Sequence, residues 1–225
     1  MGRPSREQAE AALAEVSGRV DVRRAEPAHL PVLSPLRPVL PGLRRGQVVQ
    51  VDGVGALAYA LMAGASAAGS WCAVVGVPEF GVPSAAAMGC EPERLLLVDE
   101  PGERWVDAVA VLLEAVDVVL VRPPARPPSP VVRRLAAVAR TSGSCLLVAG
   151  EWEGAMTRVR VASSLWTGLG AGHGHLRGRR VNVVAQGRGA AGGRPRSVWV
   201  WLPGPDGSVS PAGLVSVGDV DSGVA

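Results

Sequence analysis

The segment Asp52-Gly53-Val54-Gly55-Ala56-Leu57-Ala58 follows the first strand-like run, where a strand–helix protein normally holds a phosphate group. A triphosphate loop there reads GxxxxGK[ST], with the Lys on the β/γ-phosphates and the hydroxyl on Mg²⁺. This turn is too short, carries no Lys, and is followed by no Ser or Thr. All 23 basic residues of the chain are Arg, so Schiff-base and Lys-base chemistry are excluded as well. For a dinucleotide fingerprint, Gly53 and Gly55 fit the first two glycines, but Ala58 stands at the third and no acid ends the next strand. The run Asp117–Arg122 has the form of a strand that would end in a Mg²⁺-binding carboxylate, yet it ends in Arg122 before two prolines. An Arg there repels Mg²⁺ and could stand in for a cation, so metal-assisted phosphoryl transfer is disfavoured. Gly53, Gly55 and Arg122 together read as a degenerate nucleotide site.

Other catalytic constellations are thin. His173 and His175 lie in a Gly-rich run that reads as a loop, without nearby carboxylates to complete a metal site. Gly143-Ser144-Cys145 lacks the spacing of a nucleophile elbow. Glu151 and Glu153 flank Trp152 at a strand end and read as surface residues. Cys72, Cys90 and Cys145 have no metal-ligand spacing and sit in apolar surroundings, as buried thiols do.

Charge is more informative. Between Gly154 and Pro205 there are eight Arg and no Asp or Glu, whereas residues 1–153 carry 15 Arg against 17 acids. The net charge of +3 therefore conceals one strongly basic segment. Arg177, Arg179 and Arg180 precede a strand, and Arg188, Arg194 and Arg196 border a Gly-rich loop. Gly lets a loop approach a polyanion and Arg grips phosphate through paired hydrogen bonds. These six are the candidate nucleic-acid-binding residues, with Trp166 as a stacking platform. A solvated, charge-protected sheet edge is the competing reading.

The elements that must position these residues alternate. Strands are expected at 47–52, 71–76, 94–99, 117–122 and 144–149, as short continuous apolar runs. Helices are expected at 55–68, 83–88, 103–115 and 129–140 between them, the pattern of a parallel sheet covered on both faces. After Gly150 the strand-like runs 158–163, 179–184 and 197–202 have no helices between them, which implies an antiparallel extension. Ser5 and Gln8 have capping-box spacing ahead of a helix at 6–16. Four parts follow: an N-terminal helix segment (1–24), a Pro-rich connector (25–45), a core (46–205) and a flexible Gly/Ser/Pro/Val/Asp tail (206–225).

At 225 residues, 48% hydrophobic and with a mean hydropathy of +0.23, the chain suits one domain with a sizeable core. Its longest apolar stretch, Val54–Val75, is rich in Gly, Ala and Ser and makes a poor membrane span. The opening residues lack a basic-then-apolar leader, and a cytoplasmic protein without membrane contact is expected.

The order of motifs resembles RecA-type recombinase cores. Leu43–Gly53 looks like the entry into such a core, Trp71–Gly76 and Arg94–Val98 like its next strands, and Asp117–Val121 like its Walker B strand. The resemblance is closer to the shorter, actinobacterial RecA-like proteins of the ImuA/ImuA′ type. It is carried by Leu40–Gly46, Gly69–Gly81, Pro101–Trp105, Asp117–Pro124, Trp166–Arg180 and Trp201–Gly207, and spans roughly 30–207. It implies a RecA-like α/β core, with a mainly parallel central sheet, helices on both faces and a C-terminal antiparallel extension. It also implies a non-enzymatic accessory role, without cofactor, in SOS-induced mutagenic translesion synthesis. The implied partners are an ImuB-like protein, an inactive relative of Y-family polymerases, and an error-prone DNA polymerase; DNA itself is a further candidate. The departures matter: the nucleotide-binding Lys, the Mg²⁺-binding hydroxyl and the Walker B acid of recombinases are missing, so ATP hydrolysis is not carried over. The alternatives are a RecA-type DNA-dependent ATPase with an atypical site and a stand-alone single-strand DNA-binding module.

Overall fold

A computed structural model describes residues 27–169, 174–187 and 194–213. Nine strands form one sheet: β3 (Val48–Val51), β4 (Cys72–Val75), β5 (Leu95–Val98), β6 (Val118–Val121), β7 (Cys145–Ala149), β8 (Thr157–Leu169), β9 (Gly174–Gly187), β10 (Arg196–Trp201) and β11 (Ser210–Pro211). From edge to edge they run β11-β10-β9-β8-β3-β7-β6-β4-β5. Strands β5, β4, β6, β7, β3 and β8 are mutually parallel, and β9, β10 and β11 continue the sheet antiparallel. The fold class read from the sequence is the one found. The predicted strand and helix positions between residues 47 and 149 agree with the observed ones to within two residues.

Both faces of the central strands are covered, which is why they read as unbroken apolar runs rather than alternating ones. On one face Val49, Val51, Cys72, Val74, Val118, Leu120 and Leu147 pack against α1 (Ala56–Ala67) and α2 (Val82–Ala87). On the other, Val48, Ala73, Val75, Val119, Val121, Leu146 and Val148 meet α3 (Trp105–Ala115) and α4 (Ser129–Ser142). Helix α4 shows the usual logic of a surface helix. Val132, Leu135 and Ala139 recur at helical spacing on its buried side, and Gly143 ends it in the left-handed region at φ 73°. Helix α1 is different: every residue from Leu57 to Ser66 is buried. A helix apolar all round needs cover on both sides, and the second cover comes from an unexpected place.

That cover is the stretch expected to be a connector. β1 (His29–Leu30) pairs with β2 (Leu43–Arg44), and a 3₁₀ turn at Ser34–Leu36 lies between them. Leu30, Val32, Leu36, Val39, Leu40 and Leu43 are all buried in the α1-side core. The prolines that suggested an open linker set the turns of a strap, and the apolar residues between them carry its packing. The boundary at 205 is also too early. Asp206 Oδ1 accepts hydrogen bonds from the Ser208 backbone N–H (3.0 Å) and hydroxyl (2.8 Å), which turns the chain back. Ser210–Pro211 then pairs with β10, and Ala212 is buried. The expected helix at 6–16 and the tail from 214 onward lie outside the described residues.

Candidate functional site

At the former phosphate position four residues, Asp52 to Gly55, join β3 directly to α1. Gly53 takes φ +78°, and Gly55 caps the helix in an extended conformation without a side-chain cap. The Asp52 N–H donates to the Val159 carbonyl (3.1 Å), tying the turn to β8. A helix start remains, but the chain is too short to curl around a phosphate and no Lys can meet one.

Arg122 does not join that turn. It leaves the end of β6, two strands away from β3, and closes on the loop after β4. Its Nε donates to the Gly76 carbonyl (3.0 Å), and its two terminal nitrogens grip both carboxylate oxygens of Glu79, with Nη2–Oε2 at 3.0 Å. The hydrogen bonds from Arg122 hold the Glu79 carboxyl below the usual carboxylate range. The guanidinium is thus engaged by a carboxylate and a carbonyl, and Gly53 and Gly55 stand without it. A cleft of about 720 Å³ opens beside Arg122, lined by Asp99, Gly102, Glu103 and Trp105. Its carboxylates would repel an anionic ligand.

All three cysteines are buried. Burial raises each thiol, Cys90 to about 11, Cys145 to about 12 and Cys72 further still. Thiols that stay protonated are poor nucleophiles and poor ligands. Among the described residues no group of three or more His, Cys, Asp or Glu could hold a metal ion. His175 lies in β9 rather than in a loop; His173 is outside the described residues.

The basic segment forms the long β8–β9 hairpin, extended by β10. Val181, Val183 and Ala185 of β9 point into the α1-side core, so Arg177 and Arg179 share their face and Arg180 does not. Arg179 sits over the Trp166 ring at 5.7 Å, and Arg180 sits over Trp201 at 5.6 Å on the opposite face. Arg196 pairs with Ala185 at the far end of the β9–β10 ladder, with Arg194 just before it. Arg188 is outside the described residues. The five described candidate arginines therefore do not form one patch: the sheet splits Arg177 and Arg179 from Arg180, and strand length separates Arg194 and Arg196 from all three.

The structure adds residues the sequence reading passed over. Arg158 and Arg160 on β8, and Trp199 and Trp201 on β10, share the face of Arg180. The signal was present as Arg-Val-Arg and Trp-Val-Trp, each inside a run already read as a strand. A period of two places both pairs on one side once the buried valines between them are known.

Comparison with known proteins agrees with the fold. Residues 38–154 match the family model described as the MT3502 N-terminal domain. The chain is 32% identical over 165 residues to "Uncharacterized protein Rv3395c" of Mycobacterium tuberculosis (strain ATCC 25618 / H37Rv), covering 69% of this chain and 80% of that protein. A crystal structure of the RadB recombinase superposes with a TM-score of 0.56 at 16% identity, over 80% of this chain and 97% of that one. At that identity the likeness shows the fold, which is RecA/RadB-like.

Proposed function

Because the chain belongs to the MT3502 N-terminal domain family and keeps the recombinase-type fold without its phosphate chemistry, we propose that it is a non-enzymatic accessory protein of damage-induced mutagenic translesion DNA synthesis. The observation that carries this reading is the four-residue turn between β3 and α1, in a chain without Lys. It removes the phosphate grip on which a recombinase motor depends and leaves the scaffold intact. The role in lesion bypass follows from the ImuA/ImuA′-type resemblance, which also supplies the partners: an ImuB-like protein and an error-prone polymerase. An ATPase reading has no Lys to hold the γ-phosphate and no Ser or Thr to hold Mg²⁺ at this turn. No helix among the described residues is long and apolar enough to cross a membrane, and we place the protein's work in the cytoplasm, at the replicating chromosome.

A scaffold needs an adhesive surface, and β5 offers one. It forms one edge of the sheet, and Leu96 and Leu97 are 37% and 42% exposed on its two sides. An apolar edge strand with unpaired backbone groups is a template for another chain. Tagged full-length protein, recovered from cells after DNA damage, is expected to bring down both partners. Leu97→Lys is expected to reduce that recovery at least tenfold while leaving the melting temperature nearly unchanged. Recovery of neither partner by the unmodified chain would contradict the proposal.

A further inference from the structure

The sheet carries helices on both faces as far as β3, but not beyond. On the α1 side, Val159, Val181, Val183, Ala185 and Val200 are buried in the core. On the opposite side, α3 and α4 pack over β4, β6 and β7, and no residue of β8, β9 or β10 joins the core they form. Among the described residues, that side of the extension is therefore open. Across it the register stacks Leu165, Arg180 and Trp201 in one row, Asn182 and Trp199 in the next, Arg160, Val184 and Ser197 in the third, and Arg158 beside Gln186 in the last. None of these side chains is buried.

We infer that this open face of β8–β10 is a platform for single-stranded nucleic acid, with Arg158, Arg160 and Arg180 meeting phosphates and Trp199 and Trp201 meeting bases. It is a different surface from the β5 edge, and the inference does not rest on the partner reading. Four observations favour this occupant. Three arginines stand across the face, and its described carboxylates, Asp52 and Glu151, are confined to the cleft at the β3 border that Arg158 and Arg160 also line. Arg158 is exposed and held by its Nε–H to the Gln50 side-chain oxygen (3.1 Å), which fixes its stem on this face. The two indoles lie on alternate residues of one strand, roughly 7 Å apart along β10. Stacked bases in a duplex are about 3.4 Å apart along each strand, so the pair suits bases drawn apart in a single strand. Arg180 already lies against Trp201 and donates to the Gly213 carbonyl (2.7 Å), so its charge is fixed beside the stacking surface.

The test is anisotropy of fluorescein-labelled oligothymidylate, and of oligouridylate to separate DNA from RNA, with the full chain at low salt. Arg158→Gln/Arg160→Gln is expected to weaken binding at least tenfold. It should also lower the salt slope by about 0.7 per lost phosphate contact. Trp199→Ala is expected to cost about fivefold or more, with Trp199→Phe recovering most of it. Arg177→Gln/Arg179→Gln, on the opposite face, is expected to leave both quantities near the unmodified values. Both Arg158 and Arg160 are exposed, so that double variant folds and keeps the test decisive even if Trp199→Ala does not. Equal weakening by the opposite-face pair would overturn the assignment. So would absence of binding by both the full chain and a chain lacking residues 214–225, which would leave the face to an acidic protein partner or a segment of the chain itself.

Discussion

Gly64→Ala lowers stability by about 3 kcal/mol, the upper end of what overpacking a core costs. For a domain of this size that corresponds to a fall in melting temperature of roughly 6–12 °C. A Cβ at residue 64 would lie 2.5 Å from the Val32 carbonyl carbon and Cα and 2.6 Å from the Leu33 nitrogen. These are backbone atoms, and a rotamer change cannot relieve them. Either the strap over α1 lifts, exposing Val32 and its apolar neighbours, or α1 shifts against the sheet. Thermal melting monitored by circular dichroism reads the effect. The contrasting site is Gly55, where a Cβ meets nothing within 4 Å and φ is negative; Gly55→Ala costs only the few tenths of a kcal/mol expected at an N-cap. A Gly64→Ala variant as stable as the parent would mean that the strap is not seated where the structure puts it.

Asp117→Ala is the second large effect, a loss of roughly 2–4 kcal/mol. Asp117 directly precedes β6, at the end of the sheet away from the former nucleotide turn. Its Oδ1 accepts from Arg45 Nη1 at 2.9 Å, and its Oδ2 accepts from the Trp71 N–H at 3.2 Å. The Arg45 and Asp117 side chains are 12% and 14% exposed, and Arg45 also donates to the Gly143 carbonyl at 3.3 Å. One ion pair thus ties the end of the strap to the starts of β4 and β6 and to the end of α4. Removing the carboxylate leaves a guanidinium in a largely desolvated place, which is where most of the cost arises. Replacing both members with apolar residues, Arg45→Met/Asp117→Leu, should recover much of the loss. Chemical denaturation of the two single variants and the pair decides it; equal loss in the single and double variants would mean that the Trp71 hydrogen bond, not the charge, is what matters. The exposed Arg122–Glu79 pair, by contrast, is screened by solvent and should contribute little.

The two residues at these sites show what a sequence can and cannot reveal. The parallel core was legible because its strands are buried on both faces and read as pure apolar runs such as Val118–Val121, with Pro or Gly marking the helix boundaries. The strap was not, because Pro spacing resembles a linker and only tertiary contact shows that Leu30, Leu36 and Leu40 are buried. The same holds for Gly64, an ordinary residue in an Ala-rich helix until Val32 is seen against it. The degenerate turn at Gly53 and Gly55 was readable because what is missing there is a residue type. The role of Arg122 was not, since Glu79 lies 43 positions away in sequence. The arginines were found as a charge run, yet charge along a chain carries no information about sides of a sheet. The hairpin register separates Arg179 from Arg180 and brings in Arg158, Arg160 and the tryptophans of β10.

Whether the recombinase-type core serves without nucleotide, as proposed, is decided by calorimetric titration of the full chain with MgATP. Each charge-assisted phosphate contact that a Lys would have made is worth about 1.5–3 kcal/mol, and the turn offers neither that Lys nor the Ser or Thr hydroxyl that would follow it to hold Mg²⁺. The expected result is no saturable heat at micromolar nucleotide and no phosphate release above a buffer blank, with or without single-stranded DNA. Stoichiometric binding in the micromolar range, accompanied by DNA-stimulated hydrolysis, would contradict it.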